Sequence, residues 1–340
     1  MVQVKEMERE PAGNNTRPLA EAETLQDEGV RDNIPAGTRV KVIVNPASGK
    51  KAGFFPTNTA GLPDVQAVLN ENGIEADIAE TKYPGHATEL ARKAIKEGYE
   101  IIIACGGDGT VGETAKALIG NKKATLGILP LGSANNVARM MKVPFDLHEA
   151  GRLLRTGKII KSDVGRCNGS YFLETAGVGL DAAVFPILNK VDRGELIHLW
   201  DAARTLVRFR PRSVTLVLDK RAIRVKALVV LVANGPYWGY SVPLAPDAKI
   251  DDHKFDVVVF RNFSKTDFIR HLIAALLHRD YQPEQNPYHH HPKLRTFTAR
   301  RVQIYVSRRP WPVHADAQPR GTTPARIEVV PGALKVISGH

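Results

Sequence analysis

Apolar and polar positions follow two regimes along this chain. From Arg39 to Met141, short apolar runs alternate with stretches of helical spacing. RVKVIVNP (Arg39–Pro46) predicts a strand that ends at a turn, PDVQAVLNENG (Pro63–Gly73) a helix stopped by glycine, and IEADIAET (Ile74–Thr81) a second strand. GHATELARKAIKEGY (Gly85–Tyr99) predicts a helix and EIIIACGGDGT (Glu100–Thr110) a third strand with its turn. VGETAKALIG (Val111–Gly120) follows as a helix beginning near Val111, and ATLGILPLGSANNVARMM (Ala124–Met141) as a strand, a loop and a helix start. Such alternation predicts an α/β unit with a parallel sheet covered on both faces, whose ligands bind where strands end and helices begin.

The rhythm changes after about residue 160. Ser213–Asp219, Arg221–Asn234, Lys254–Phe260, Arg301–Ser307 and Ala325–Pro331 read as strands without regular helices between them, which predicts an antiparallel sheet or sandwich. Helical spacing persists in Asp181–Val191, Glu195–Phe209 and Lys265–Arg279. The organisation expected is a disordered acidic tail over 1–37, an α/β domain over 38–160 and a β-rich domain over 161–338, with the last segment free to return to the first domain and a cleft between the two.

Charge sharpens this picture. The 340 residues carry 47 Lys and Arg against 36 Asp and Glu, a formal +11. Residues 1–37 hold four basic side chains against eight acids, a net of −4, which leaves +15 on the remainder. That excess suits an anionic partner: a phosphorylated ligand, a lipid surface or nucleic acid. The head has no apolar stretch of the kind a secretory signal needs, and no uninterrupted apolar run reaches the roughly 20 residues that span a bilayer. Cys105 and Cys167 make neither a disulfide framework nor a zinc site. The expectation is a cytoplasmic protein whose membrane contact is peripheral.

Candidate chemistry lies at the strand ends. Gly106, Gly107 and Gly109 form a turn without large side chains, through which backbone N–H groups can approach a phosphate, and the following helix adds its positive end. Asp108 within it suits either a metal carried by the phosphates or the proton of an attacking hydroxyl. NPASGK (Asn45–Lys50) and LPLGSANN (Leu129–Asn136) fall on the same sheet edge. Neither is a Walker loop, and no G-x-G-x-x-G dinucleotide turn is present.

NPASGK, ETKYPGHATELA, GGDGTVGE and LPLGSANNVAR, in that order and spacing, resemble the catalytic domain of the diacylglycerol kinase family, which includes sphingosine, ceramide and bacterial lipid kinases. ETAGVGLDA (Glu174–Ala182), PLAPDAKIDDHKFDVVVF (Pro243–Phe260) and PGALKVI (Pro331–Ile337) extend the likeness over about residues 38–338. The resemblance implies an ATP-dependent lipid kinase with an α/β domain like those of NAD kinases and phosphofructokinases, followed by a β-sandwich that helps to form a lipid cleft. It implies that Asn45, Pro46, Ala47, Ser48 and Gly49 lie beside the nucleotide and that Thr81 contacts it. Gly106, Gly107, Asp108, Gly109, Thr110, Val111, Gly112 and Glu113 would wrap the phosphates, with Ser133 and Asn135 nearby. A structural Mg²⁺ site is implied at AKIDDHKF, with the Asp252 carboxylate and, since ammonium groups cannot ligate a cation, only the main-chain carbonyls of Lys249 and Lys254.

Departures from the family pattern matter as well. Where many relatives carry Asp-Gly-Glu-Pro with a glutamate base, this chain has Asp316, Ala317, Gln318 and Pro319. A neutral amide accepts no proton, so catalysis falls to Asp108 or Asp316, or else the protein is a lipid or nucleotide sensor with little turnover. His253 stands where glycine is usual, which is costly if that position needs a positive φ. Ser133 replaces a common threonine, and Asn136 removes an acid found in many relatives. An NAD kinase is the rival within enzymes, since it shares the Gly-Gly-Asp-Gly turn. Nucleic-acid binding accounts for the charge but for none of the glycine loops. His289–His291 reads as a solvated loop and Cys105 as a buried, inert thiol. Trp200–Arg212 suits either an anionic membrane surface or a packed helix with a basic outer face. The identity of the lipid stays open, and a homodimer is implied by the resemblance alone.

Overall fold

A computed structural model of the chain describes residues 32–48, 60–192, 197–239, 242–261, 264, 266–267, 270, 293–307 and 309–340. The acidic tail up to residue 31, Gly49 of the first loop, most of the helix expected over Lys265–Arg279 and His289–His291 lie outside these residues.

Four strands open the described chain: β1 (Val40–Val44), β2 (Ala76–Glu80), β3 (Ile101–Gly106) and β4 (Thr125–Pro130). They pair in parallel in the order β2-β1-β3-β4. All six residues of β3 and all six of β4 are buried, as befits strands covered on both faces. Helices α1 (Leu62–Glu71), α2 (His86–Lys96), α3 (Asp108–Leu118), α4 (Asn136–Met140) and α5 (Leu147–Thr156) follow these strands. In α2 it is Ala87, Ala91 and Ala94 that are buried, one small-residue stripe at helical spacing. Helix α3 begins at Asp108, three residues earlier than its apolar spacing predicts. Its first turn contains Gly109, which breaks the apolar period although the backbone is already helical.

Beyond residue 157 come β5 (Lys158–Cys167), β6 (Ser170–Phe172), β7 (Thr175–Gly179), α6 (Leu180–Asp192), α7 (His198–Arg208), β8 (Arg212–Leu218), β9 (Arg221–Ala233), β10 (Phe255–Arg261), β11 (Leu294–Ala299), β12 (Arg301–Val306), β13 (Pro312–Ala315), β14 (Gln318–Thr322) and β15 (Ala325–Ser338). These strands pair antiparallel among themselves, which makes the C-terminal part a β-sandwich beside the α/β part. Among the described residues fifteen strands join in one mixed sheet. The connector is β15: its start pairs antiparallel with β12, and Val336 near its end pairs in parallel with Leu126 of β4.

Several strands carry no bulky apolar signature and escape the pattern reading. Strand β7 is TAGVG, yet every residue is buried. A side chain on Gly177 would collide with the Asp181 carboxylate and the His314 ring, so that strand is small-residue by packing. Strand β14, QPRGT, is a largely exposed hairpin return. Beneath the sheets lie separate apolar clusters, one among β1, β3, β4 and their helices, another among β8, β9, β12, β13 and β15. No helix among the described residues is long and apolar enough to cross a membrane.

Candidate active site

Register brings the strand-end loops together. Val44 of β1 pairs with Glu80 of β2 and Cys105 of β3, and Gly106 pairs with Pro130 of β4. The chain leaves β1 toward β2 on one side and returns to β3 on the other, so Asn45 and Gly106 flank the point at which strand order reverses. Crevices form at such points in parallel sheets.

Two of the three glycines are crowded by protein contacts. A Cβ on Gly106 would lie 2.6 Å from Thr110 Oγ1 and one on Gly107 3.1 Å from the Gly132 Cα, while one on Gly132 would lie 2.5 Å from the Gly107 Cα. Backbone therefore packs on backbone where the GGDGT and LGSANN segments meet, and Leu131 N donates to Gly106 O at 3.0 Å. Gly109 and Gly112 differ, because a Cβ at either would meet only open space. Helix α3 has Gly107 as N-cap without a side-chain cap, and Gly109 in its first turn is exposed.

The remaining residues of the first loops brace this edge. Asn45 Oδ1 accepts from Ala47 N at 3.0 Å and its Nδ2 donates to Thr110 Oγ1 at 3.2 Å, which ties the NPAS turn of Asn45, Pro46, Ala47 and Ser48 to α3. Thr81 N donates to Val44 O. Glu113 faces the protein: its Oε1 accepts from Gly85 N at 2.8 Å and its carbonyl from Thr88 Oγ1 at 2.7 Å. It holds the N-terminus of α2 against α3. Buried Val111 packs in the apolar cluster. Asn135, in the left-handed region at φ 51°, clasps Gly132 through both ends of its amide, and Ser133 stands exposed between them.

Asp108 is the first residue of α3, and its carboxylate reaches across to the start of α4. Oδ1 accepts from Val137 N at 2.9 Å, and Asn136 N donates to it as well. Asp316 sits at the β13–β14 turn. Its Oδ2 accepts from Leu173 N at 2.8 Å, and its Oδ1 accepts from Glu174 N at 3.0 Å and Thr175 N at 3.2 Å. Between them lies a carboxylate that the site candidates omit. Glu174, in the link from β6 to β7, accepts at Oε2 from Asn136 Nδ2 at 2.7 Å, and Asn136 also donates to Gly239 O at 2.6 Å. All three acids are half-buried. Burial raises each above the ordinary carboxylate range, Glu174 well above it, and the charges of Asp108 and Asp316 push Glu174 further. The sequence did hold a signal for Glu174: an acid inside the apolar run YFLETAGVG, where a charge is out of place. Gln318, by contrast, is exposed at the start of β14.

Lys249, Asp252 and Lys254 share one loop, and Asp252 Oδ1 accepts from Lys254 N at 3.1 Å. Among the described residues no group of three or more His, Cys, Asp or Glu side chains converges as a metal site. The donor set is therefore one carboxylate with main-chain carbonyls, which fits a cation that keeps several of its waters, as Mg²⁺ does. Nearby, burial above all and then the charges of Asp252 and Asp247 push Asp256 up to about 6. His253 does adopt a positive φ of 62°. Its strain is held by Asp163, a fully buried carboxylate that accepts from His253 N at 2.6 Å, His253 Nδ1 at 2.9 Å and Gly332 N at 2.7 Å.

Both cysteines are free and buried, and burial pushes the Cys167 thiol up to about 12 and Cys105 higher still. Neither is poised as a nucleophile.

Both parts of the chain are similar to known proteins. Residues 39–167 match the diacylglycerol kinase catalytic domain, and residues 174–338 match the YegS C-terminal NAD kinase beta sandwich-like domain. A diacylglycerol kinase of Bacillus subtilis (strain 168) is 30% identical over 243 residues, covering 70% of this chain and 78% of its own length. One from Staphylococcus carnosus (strain TM300) is 26% identical over 293 residues, or 85% of this chain and 91% of its own. The crystal structure of a putative diacylglycerol kinase from Bacillus anthracis str. Sterne superposes with a TM-score of 0.69 at 25% identity, over 88% of this chain and 97% of that one. Two family models placed end to end and a B. subtilis relative at this identity establish that the chain belongs to the diacylglycerol kinase family of lipid kinases.

Proposed function

We propose that this protein transfers the γ-phosphate of ATP to the hydroxyl of a membrane-borne lipid of the diacylglycerol or sphingoid type. The observation that carries the reading is the meeting of Asp108, Glu174 and Asp316, contributed by the α/β and β-rich parts, at the glycine-capped first turn of α3.

In this mechanism the phosphates lie over the first-turn amides of α3, where Gly109 and Gly112 leave room for them and Ser133 offers a hydroxyl. The helix end favours their negative charge. Mg²⁺ arriving with the nucleotide would neutralise charge on the transferring phosphoryl group. The acceptor hydroxyl enters from the side of the carboxylates, in line with the bond that breaks. Asp108 and Asp316 are fixed by backbone amides and orient the groups around that hydroxyl. Little base strength is required, because phosphoryl transfer depends mainly on positioning and charge stabilisation. A structural cation at Asp252, with the carbonyls of Lys249 and Lys254, would steady the loop ahead of β10 and supply no step.

Peripheral membrane contact has its own support. Helix α7 buries Ala202 and packs Leu206 against an apolar cluster, and it turns Ile197, Trp200, Arg204, Val207 and Arg208 outward along one face. Ile197 is 81% exposed, Trp200 74% and Val207 67%. Large apolar side chains beside arginines on an outer helix face suit the headgroup region of an anionic bilayer.

The test is transfer of labelled γ-phosphate from Mg–ATP to lipids in mixed micelles, with NAD as a separate acceptor and Asp108→Ala as control. Transfer to a lipid, lost in the variant, is the expected result. Transfer to NAD would replace the reading with an NAD kinase, and ATP binding without any transfer would replace it with a sensor.

A further inference from the structure

Resting on the lipid-kinase reading, we infer that Glu174 is the general base of the reaction, taking the proton of the acceptor hydroxyl on its Oε1. Gln318, an exposed neutral amide, takes no part in that step.

The three carboxylates are not equivalent. Asp316 accepts three backbone amides, from Leu173, Glu174 and Thr175, and these spend its lone pairs on the β6–β7 link. Asp108 accepts from Asn136 and Val137 at the start of α4 and from its own amide. Amides of this kind stabilise a carboxylate as an anion and weaken it as a base. Glu174 accepts one donor, the Asn136 side chain, on Oε2 alone. Among the described residues no donor reaches Oε1. Asn136 is itself held by Gly239 O, so the carboxylate is oriented from one side and left open on the other.

Its surroundings favour proton uptake. Asp108 of α3 and Asp316 of the β13–β14 turn face it with negative charge, and Lys116 acts on Asp316. A carboxylate in that setting holds a proton more firmly than a solvated one, closer to what a base working near neutral pH needs. In the step itself the hydroxyl oxygen bonds to the γ-phosphorus as its proton passes to Glu174 Oε1. The bond from that phosphorus to the β,γ-bridging oxygen breaks, and its electron pair leaves with ADP. Glu174 then releases the proton to solvent. The Asn136 side chain is thereby a positioning group for the base.

Glu174→Gln and Glu174→Asp test the inference in the full chain. Glu174→Gln is expected to lower kcat by about 10² to 10⁴, with the ATP dissociation constant unchanged. It is also expected to melt no lower than the wild type, since removing one of three crowded charges relieves repulsion. The wild-type rate falls as pH is lowered through the Glu174 titration. Glu174→Asp keeps that acid limb at a reduced rate, and Glu174→Gln lacks it. A Glu174→Gln protein with wild-type kcat, or one that has lost ATP binding along with turnover, overturns the inference while leaving the lipid-kinase reading in place. A wild-type chain that phosphorylates no lipid overturns the reading and the inference with it.

Discussion

Ala317 shows how a single residue sets local strain at the candidate site. Ala315 pairs with Gln318 across a two-residue turn whose central residues, Asp316 and Ala317, have φ of 45° and 55°. Turns of that hand want φ above zero at both central positions, which Asp tolerates and Ala does not. A non-glycine residue in the left-handed region costs roughly 1–2 kcal/mol, and the added freedom of glycine in the unfolded chain returns roughly 0.4–1 of it. Ala317→Gly is therefore expected to stabilise the protein by about 0.5–1 kcal/mol, read as a raised urea midpoint at constant slope. An unchanged or lowered midpoint would show that the turn is relaxed with alanine in place. At this scale the sequence is legible where chemistry is local: Asp108 and the glycines stand out unaided. Glu174 shows only as an acid in an apolar run, and its meaning comes from Asp108 and Asp316, which lie 66 residues before it and 142 after it along the chain.

Elements carry the next level of information. The four parallel strands and the helices after them follow from apolar runs and helical spacing, which are properties of contiguous residues. Strand β7 and the hairpin of β13 and β14 do not, since their small or polar residues are dictated by what packs on them. The loop from Lys249 to Lys254, which leads into β10, illustrates an electrostatic consequence. Asp256 is pushed up to about 6 in the folded protein, chiefly by burial and then by Asp252 and Asp247, from an ordinary 3.8. The folded state thus prefers the protonated form. The penalty is absent well below pH 4, grows as pH rises toward 6, and is fully present above it. Asp256→Asn is expected to raise stability at pH 7.5 and to lose that advantage by pH 4, as measured by denaturant unfolding across that range. Mg²⁺ is expected to stabilise the wild type at pH 7.5 more than Asp252→Asn. Equal effects on both would remove the cation from this loop.

For the molecule as a whole, charge and exposed apolar surface act together. Outside the first 37 residues the chain carries +15, and α7 turns Trp200 and Val207 outward beside Arg204 and Arg208. Each basic residue near an anionic bilayer contributes about 1 kcal/mol, a factor of roughly five in binding. Vesicles with a phosphatidylserine fraction are expected to bind the protein in a salt-sensitive way. Arg204→Ala and Arg208→Ala together would weaken that binding by roughly 25-fold, and Trp200→Ala would weaken it even at high salt. Vesicle sedimentation with unchanged partitioning of both variants would place the membrane contact elsewhere. The sequence alone determined the α/β part, the change to antiparallel strands beyond it, the strand-end loops and the family, because each is written in neighbouring residues or in motifs of fixed spacing. Only the tertiary structure decided that Glu113 is a brace, that Gly106 and Gly107 are glycine for packing, and that Glu174 joins Asp108 and Asp316 behind an amide from Asn136. Those outcomes depend on which distant backbone amides and charges the fold brings within hydrogen-bond reach, and no local pattern encodes that distance.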